Sequence, residues 1–331
     1  MNSLVIHVRR EFWEHRSLWI APLVWVGIIT LLFAWTVLVV VPNHLGDHGA
    51  VIGPDAQTMS QMSERDRHEV ENAIAEANQH TLRATGDKDA FFAFSYLAIT
   101  GLVTTFTCIV VFFYLIDCLY AERRDRSILF WKSLPISDAQ VVITKLLVAL
   151  VVVPAGALLL AAAMQLLMVL LVWVRFHGTV IGAALPDLSI LAWIKSLATA
   201  LVLTLGSVLW YAPIAGYLLV MSSWARRNVF LWAVLPPIAL GALEGFFLHS
   251  VHVFDFLGWR FSGFAQLLKV DPNALNVGTR SSAEEVPAVG DVLSHLNLSG
   301  LFLSAELWIG LAVTAALVFV AIRLRRYRDE S

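Results

Sequence analysis

Few residues in this chain are spaced for chemistry. His68-Glu69-Val70-Glu71-Asn72 opens as a zinc-protease helix does, where two histidines four apart hold the metal, but Asn72 stands where the second histidine is required. Gly-x-Ser-x-Gly, the strained turn that presents a serine nucleophile, does not occur. Neither does Gly-x-x-x-x-Gly-Lys-[Ser/Thr]; Gly86-Asp87-Lys88 lacks every other feature of a phosphate loop, so ATP hydrolysis is not expected from this sequence. His44 with Asp47 and His48, and His249 with His252 and Asp255, have the spacing that brings metal ligands to one face of a helix. Histidines at a membrane interface are usually only hydrated, and no metal is expected at either cluster.

Two acids fall within or beside long apolar runs. Glu244 lies about five residues, or roughly 8 Å at the helical rise, inside the outer end of the fifth run. Its charged form there costs on the order of 2 to 3 kcal/mol unless it is partnered or hydrated. It is read either as part of a polar outer vestibule or as a structural group, with His249 as its nearest candidate partner. Asp117, at the inner end of the second run, can face water or pair with Arg123 or Arg124. Pro236 and Pro237, with Pro213 in the preceding run, break helical ladders and free carbonyls that must be satisfied inside protein. Such breaks suit bending helices beside a pathway and occur in static bundles too.

The stretch from Tyr120 to Ser137 is the most informative part of the sequence. It carries Arg123, Arg124, Arg126 and Lys132 around an apolar Ile128-Leu129-Phe130-Trp131 run and stops at Leu134-Pro135. Residues 122 to 131 are expected to form a short helix parallel to the membrane, with Ile128, Leu129 and Trp131 available to a partner's groove and the arginines to an acidic rim or to lipid phosphates. Pro135 stops that helix, and Ser137 with Gln140 forms a capping box that starts the next one.

The elements that must position these residues follow from composition. Of 331 residues, 58% are hydrophobic and only 15% charged, which places the chain outside the soluble globular range. Apolar runs long enough to cross a hydrocarbon core occur near 18 to 41, 91 to 118, 141 to 174, 193 to 221, 229 to 249 and 304 to 322. The expected fold is therefore an all-α polytopic membrane protein with six transmembrane helices, forming a single domain over residues 1 to 331.

Cations set its orientation. Arg9, Arg10 and Arg16, then Arg123, Arg124, Arg126 and Lys132, then Arg226 and Arg227, then Arg323, Arg325, Arg326 and Arg328 all fall on one side, which places both termini and the connector in the cytoplasm. The net charge of -2 hides this asymmetry and points to no nucleic-acid partner. Residues 1 to 17 read as an amphipathic helix on the cytoplasmic surface, with Leu4, Val5, Val8, Phe12 and Trp13 on one stripe and charges opposite. Residues 42 to 90 form an outer loop with a helix over Ser63 to Leu82. Residues 250 to 303 form a second outer segment, in which Val251 to Phe264 is too short to span and is expected to be re-entrant or interfacial. The third run covers about 51 Å at the helical rise and must extend, tilt or bend at Pro154. Cys108 and Cys118, ten residues apart on one helix, are expected to be buried free thiols.

The connector resembles the coupling segment of type-2 ABC exporter permeases. The resemblance rests on Glu122-Arg123-Arg124, then Ser127-Ile128-Leu129, then Ser133-Leu134-Pro135-Ile136-Ser137. In outline it covers the whole chain; the common family form has Gly-Thr where this chain has Arg126-Ser127. It implies that Glu122, Arg123, Arg124 and Arg126 with Ile128, Leu129, Phe130 and Trp131 contact a cytoplasmic ATPase, that Leu134-Pro135 ends the coupling helix within residues 119 to 140, and that Arg9, Arg10, Glu11 and Phe12 belong to an elbow helix framing the same site. It further implies a permease subunit of an inner membrane, two separate ATPase subunits that hold ATP and Mg while this chain holds no cofactor, and a second permease copy or a sister permease. The competing expectation is a membrane-embedded enzyme or accessory subunit with no ATPase partner.

Overall fold

The computed structural model describes residues 3 to 40, 96 to 125, 137 to 176, 190 to 267 and 298 to 327. The expected helix over Ser63 to Leu82, the His44 cluster, the zinc-like run at His68 and connector residues 126 to 136 lie outside them. That excluded stretch includes Arg126, Ile128, Leu129, Phe130, Trp131, Leu134 and Pro135. Among the described residues the regular structure is all helical, with no strand, and six helices are long and apolar enough to cross a membrane, so this is a multi-pass membrane protein.

Helix α1 is Ser3–Glu14, and α2 is Ser17–Trp35, closed by a π-helical turn at Thr36–Val40. Helix α3 is Tyr96–Arg124. Helix α4 runs from Asp138–Leu147 through a π segment at Val148–Val152 into Val153–Phe176. Helices α5 and α6 are Ile190–Trp224 and Val229–Leu248. Then come α7, His252–Leu267, α8, Leu298–Phe302, and α9, Ala305–Tyr327. Helix α3 continues beyond the expected end at 118, so Glu122, Arg123 and Arg124 form its last turn and do not begin a separate surface helix. The capping box at Ser137 and Gln140 is present, with the Ser137 hydroxyl accepting from Gln140 N at 3.2 Å and the Gln140 side chain accepting from Ser137 N at 3.1 Å.

Prolines interrupt these helices, and two carbonyls in or beside the interrupted turns are answered from neighbouring helices. In α4 the π segment ends two residues before Pro154, and at its end the Val153 amide donates to the Val148 carbonyl. In α6, Pro237 cannot donate to Ala233, whose carbonyl instead accepts from the Tyr217 hydroxyl of α5 at 3.0 Å. In α5, Pro213 disturbs the turn that includes Trp210, and the Trp210 carbonyl accepts from the Arg260 guanidinium of α7.

Helices α5 and α9 pack together over much of their length. Small residues allow it: a Cβ added at Gly216 would stand 3.2 Å from Leu317, and one at Gly310 would stand 2.5 Å from Arg260 Nη2. Arg260 thus lies buried between α5, α7 and α9, with its guanidinium 4.5 Å from the Trp210 ring centre, while Trp210 Nε1 donates to the Arg260 carbonyl at 2.8 Å. A second buried knot ties α3, α4 and α5. Gln165 donates to the Tyr96 carbonyl and the Thr100 hydroxyl, each at 2.9 Å, and accepts from Trp193 Nε1 at 3.0 Å. Cys118 is fully buried, but Cys108 faces outward, correcting the expectation of two buried thiols.

These contacts predict two outcomes. Tyr217→Phe leaves the Ala233 carbonyl unanswered and lowers stability by about 1 kcal/mol. Gly310→Leu drives Arg260 off Trp210 and is the more damaging change. Unfolding temperatures of the purified full-length variants, read by size-exclusion chromatography after heating, check both magnitude and order.

Candidate functional site, a buried charge cluster

At the end of the bundle that carries α1, the chain buries charges of both signs. The ends of α3, α5 and α9 and the starts of α2, α4 and α6 meet there. Helical periodicity explains why particular residues face inward. Tyr114, Leu115, Cys118, Leu119 and Glu122 fall on one stripe of α3, and Val141, Val142 and Lys145 on one face of α4. On α9 the stripe of Leu307, Gly310, Thr314 and Ala321 ends in Arg325. Each of these stripes is uncharged until its last or first turns, where the inward position becomes ionic.

Lys145 is the centre. It is 0% exposed, and its Nζ lies 2.9 Å and 3.0 Å from the two Glu11 carboxylate oxygens and 3.1 Å from Glu122 Oε1. Glu122 is 4% exposed and also receives Arg10 Nη2 at 3.2 Å and Arg325 Nη1. Arg325 turns its Nε to Asp138 Oδ1 at 3.0 Å. Tyr114 donates its hydroxyl to Glu11 Oε2 at 2.9 Å. Among the described residues three carboxylates, Glu11, Glu122 and Asp138, face three cations, Arg10, Lys145 and Arg325, and Arg10 pairs also with the more exposed Glu14, so each buried charge is answered by one of opposite sign. Such closure is what a buried ionic group requires, because an uncompensated charge in a low-dielectric interior is costly.

Around this centre the expected site residues take different places. Glu11 faces the bundle, correcting the expectation that the charges of α1 point away from its apolar stripe; its neighbour Phe12 is half-buried and Trp13 exposed. Arg9 is exposed and Arg10 reaches back to both Glu14 and Glu122. Arg123 Nη2 donates to the carbonyls of Ser222 at 2.6 Å and Ala225 at 2.8 Å, capping the end of α5. Ser222 in turn accepts from the Leu119 and Tyr120 amides, both at 3.1 Å, so α3 and α5 close together at this level. Arg124 is the outward one, with 55% of its side chain exposed and Asp125 beside it.

His15 packs edge-on against Tyr114 with ring centres 5.0 Å apart. Burial, and then the nearby Lys145 ammonium, push its pKa below the usual histidine range. Ligand-type atoms of Glu11, Glu14 and His15 lie within 4.8 Å of one another, but the Glu11 carboxylate there already holds Lys145.

The other expected site residues lie apart from this cluster. Glu244, near the opposite end, accepts from the Ser250 hydroxyl at 2.7 Å, from the amides of His252 at 3.0 Å and Val253 at 2.7 Å, and sits 2.9 Å from His252 Nδ1. It caps the first turn of α7, an anion at a helix N-terminus, and the bonded histidine is His252, correcting the expected His249. His249 instead adopts a left-handed backbone at the end of α6. Pro236 and Pro237 are half-buried inside α6.

Sequence reasoning passed over Lys145 and Tyr114, and treated Arg260 only as one of several outer-side cations and Arg325 as one of several tail cations. The signals were present: Lys145 lies inside an apolar run two turns past its cap, and Glu11 falls three residues after Val8 on the α1 stripe. No known family, curated protein or solved structure matches the chain.

Removing one member of a closed buried cluster strands the others. Lys145→Met and Glu122→Gln are each expected to cost about 3 to 5 kcal/mol, whereas exposed Arg124→Gln should leave stability nearly unchanged, measured by denaturant unfolding in detergent. For His15 the sign runs the other way from a stabilising protonation. Its folded pKa is lowered from 6.5, so the unfolded chain takes up the proton first and stability falls as pH drops below 6.5. His15→Phe should flatten that part of the stability profile.

Proposed function

We propose that this chain is the membrane-spanning permease subunit of an ATP-driven ABC exporter, with both termini in the cytoplasm of a bacterial-type inner membrane and ATP hydrolysis on separate subunits. One observation carries the reading. Glu122 and Asp138, which flank the 126 to 136 connector at the end of α3 and the start of α4, are bridged by one side chain, Arg325 of α9. Lys145 joins the same Glu122 to Glu11 of α1. The connector thus stands on two stems pinned to the elbow and to the last helix, which is the arrangement a mechanical input needs if it is to move whole helices.

In this reading the residues divide by role. Glu122 and Arg123 are anchors, since their charged groups are turned into the chain, and the ATPase contact falls to Arg124, Arg126 and the Ile128 to Trp131 run. Closure of the ATPase dimer pushes the connector, the pinned stems carry α1, α3, α4 and α9 together, and two permease copies rock against each other. The capped α6 to α7 junction at Glu244 and the proline-containing α5 and α6 are the elements available to move on the opposite side. Aromatic-rich spans suit an amphipathic or lipid-like cargo, a peptide or a drug.

The test is co-purification of full-length protein with a Walker-motif ATPase encoded beside it. Arg124→Glu combined with Trp131→Ala should abolish capture while leaving the unfolding temperature unchanged. Undiminished capture of the ATPase by that double variant, or by a chain lacking residues 126 to 134, would sink the proposal.

A further inference from the structure

At the charged end of the bundle, α1 and α2 meet in an open corner whose lining is unusual for a surface. A groove of about 650 Å³ is bounded by Phe12, Trp13, Arg16, Trp19 and Ile20. Trp19 Nε1 donates to the Phe12 carbonyl at 3.2 Å, which holds the corner at a fixed angle. Trp13 is 64% exposed and Trp19 45%. Among five lining residues one is charged, and that is Arg16.

Arg10 is committed to carboxylates and Arg16 is not. Arg10 reaches Glu14 and Glu122. Among the described residues no carboxylate lies in ion-pair distance of Arg16, which is exposed at the junction directly before α2 starts across the membrane. A guanidinium above an apolar, tryptophan-walled groove at the level where a spanning helix begins matches a molecule with an anionic head and a hydrocarbon tail. We propose that this corner binds one anionic phospholipid, its phosphate on Arg16 and an acyl chain along Trp13, Trp19 and Ile20.

Charge complementarity selects this occupant. A zwitterionic lipid fills the apolar walls equally well but brings its own cation to the guanidinium, and a soluble anion gains nothing from the walls. A second groove, lined by Phe319, Val320, Arg323, Leu324 and Tyr327 of α9, has similar composition. There, however, the guanidinium lies 5.0 Å from the Phe319 ring centre and 3.4 Å from the Tyr327 hydroxyl, so it is already engaged. The lipid site at α1 and α2 does not depend on the transport reading; it requires only that α2 crosses a membrane. Its consequence is that the seating of α1 on the bundle responds to the anionic lipid content of the leaflet.

Native mass spectrometry of delipidated full-length protein, titrated with phosphatidylglycerol and phosphatidylcholine at equal concentration, tests this. The wild-type chain should retain phosphatidylglycerol in preference. Arg16→Gln should lower that retention about fivefold, the weight of one arginine beside an anionic headgroup, while Arg323→Gln leaves it unchanged. Trp13→Ala should weaken both lipids together. Because Arg16 and Trp13 are exposed, size-exclusion profiles of these variants should match the wild type. Equal retention of the two lipids by wild type, or undiminished phosphatidylglycerol on Arg16→Gln, overturns the proposal. A lipid-free wild-type dimer that dissociates on Arg16→Gln would assign the corner to a second copy of the chain instead.

Discussion

One end of this bundle depends on the pairing of Lys145 with Glu11 and Glu122. Lys145 has no exposed surface and two carboxylates within 3.1 Å, and Glu122 also holds Arg10 and Arg325, so the loss of either acid leaves buried cations short of anions in a medium that cannot solvate them. That constraint fixes helix positions more tightly than apolar contact does. Hydrophobic side chains slide past one another at little cost, whereas a charge-assisted hydrogen bond tolerates a few tenths of an ångström. Three elements that apolar packing alone would leave free to shift, α1, the end of α3 and the start of α4, are thereby held in one register. Arg325 extends the register to α9 through Glu122 and Asp138.

Deeper in the bundle the same logic works with neutral groups. Apolar contact gives little reason for helices to associate in lipid, and small residues and interhelical hydrogen bonds must supply it. Gly216 and Gly310 let α5 and α9 approach, and Gln165, Tyr217 and Arg260 reach across helix boundaries to answer carbonyls. Two of those carbonyls lie in turns disturbed by a proline. The prolines of α5 and α6 are therefore coupled to neighbouring helices: a change in either bend alters a bond to Tyr217 or to Arg260, which are on different helices from the prolines they serve.

What the sequence made legible was whatever depends on one helix at a time. Six spans, the capping box at Ser137 and Gln140, and a helix over residues 3 to 14 follow from periodicity and local hydrogen bonding, and all are found. The cluster was not legible, because its meaning is pairwise across 134 residues in one case and 203 in another. Taken singly, Glu11 reads as a surface charge on an amphipathic helix, and Lys145 as an isolated cation within an apolar run. Only their common level at one end of the bundle makes them partners. Glu244 shows the same failure in miniature: counting residues from the end of the run suggested His249, but the left-handed backbone at His249 turns the chain so that His252 and Val253 present their amides.

Pinning both stems of a short connector has a mechanical consequence. A push on residues between 125 and 137 can be absorbed in two ways, by separating the stems from the bundle or by moving the bundle with the stems. Separation means opening ion pairs that are at least nine-tenths buried at Glu11, Lys145, Glu122 and Arg325, each worth several kcal/mol to break one-sidedly. Moving the helices as a body leaves those pairs intact and asks only that lipid-facing surfaces slide, which the exposed apolar faces of α2 and α6 do without loss of partners. The less costly route is the rigid-body one. The bends that such motion requires are then pushed away from the charged end, to the π segment at Val148–Val152 and the proline turns of α5 and α6, where the ladder is already interrupted and no ion pair has to open.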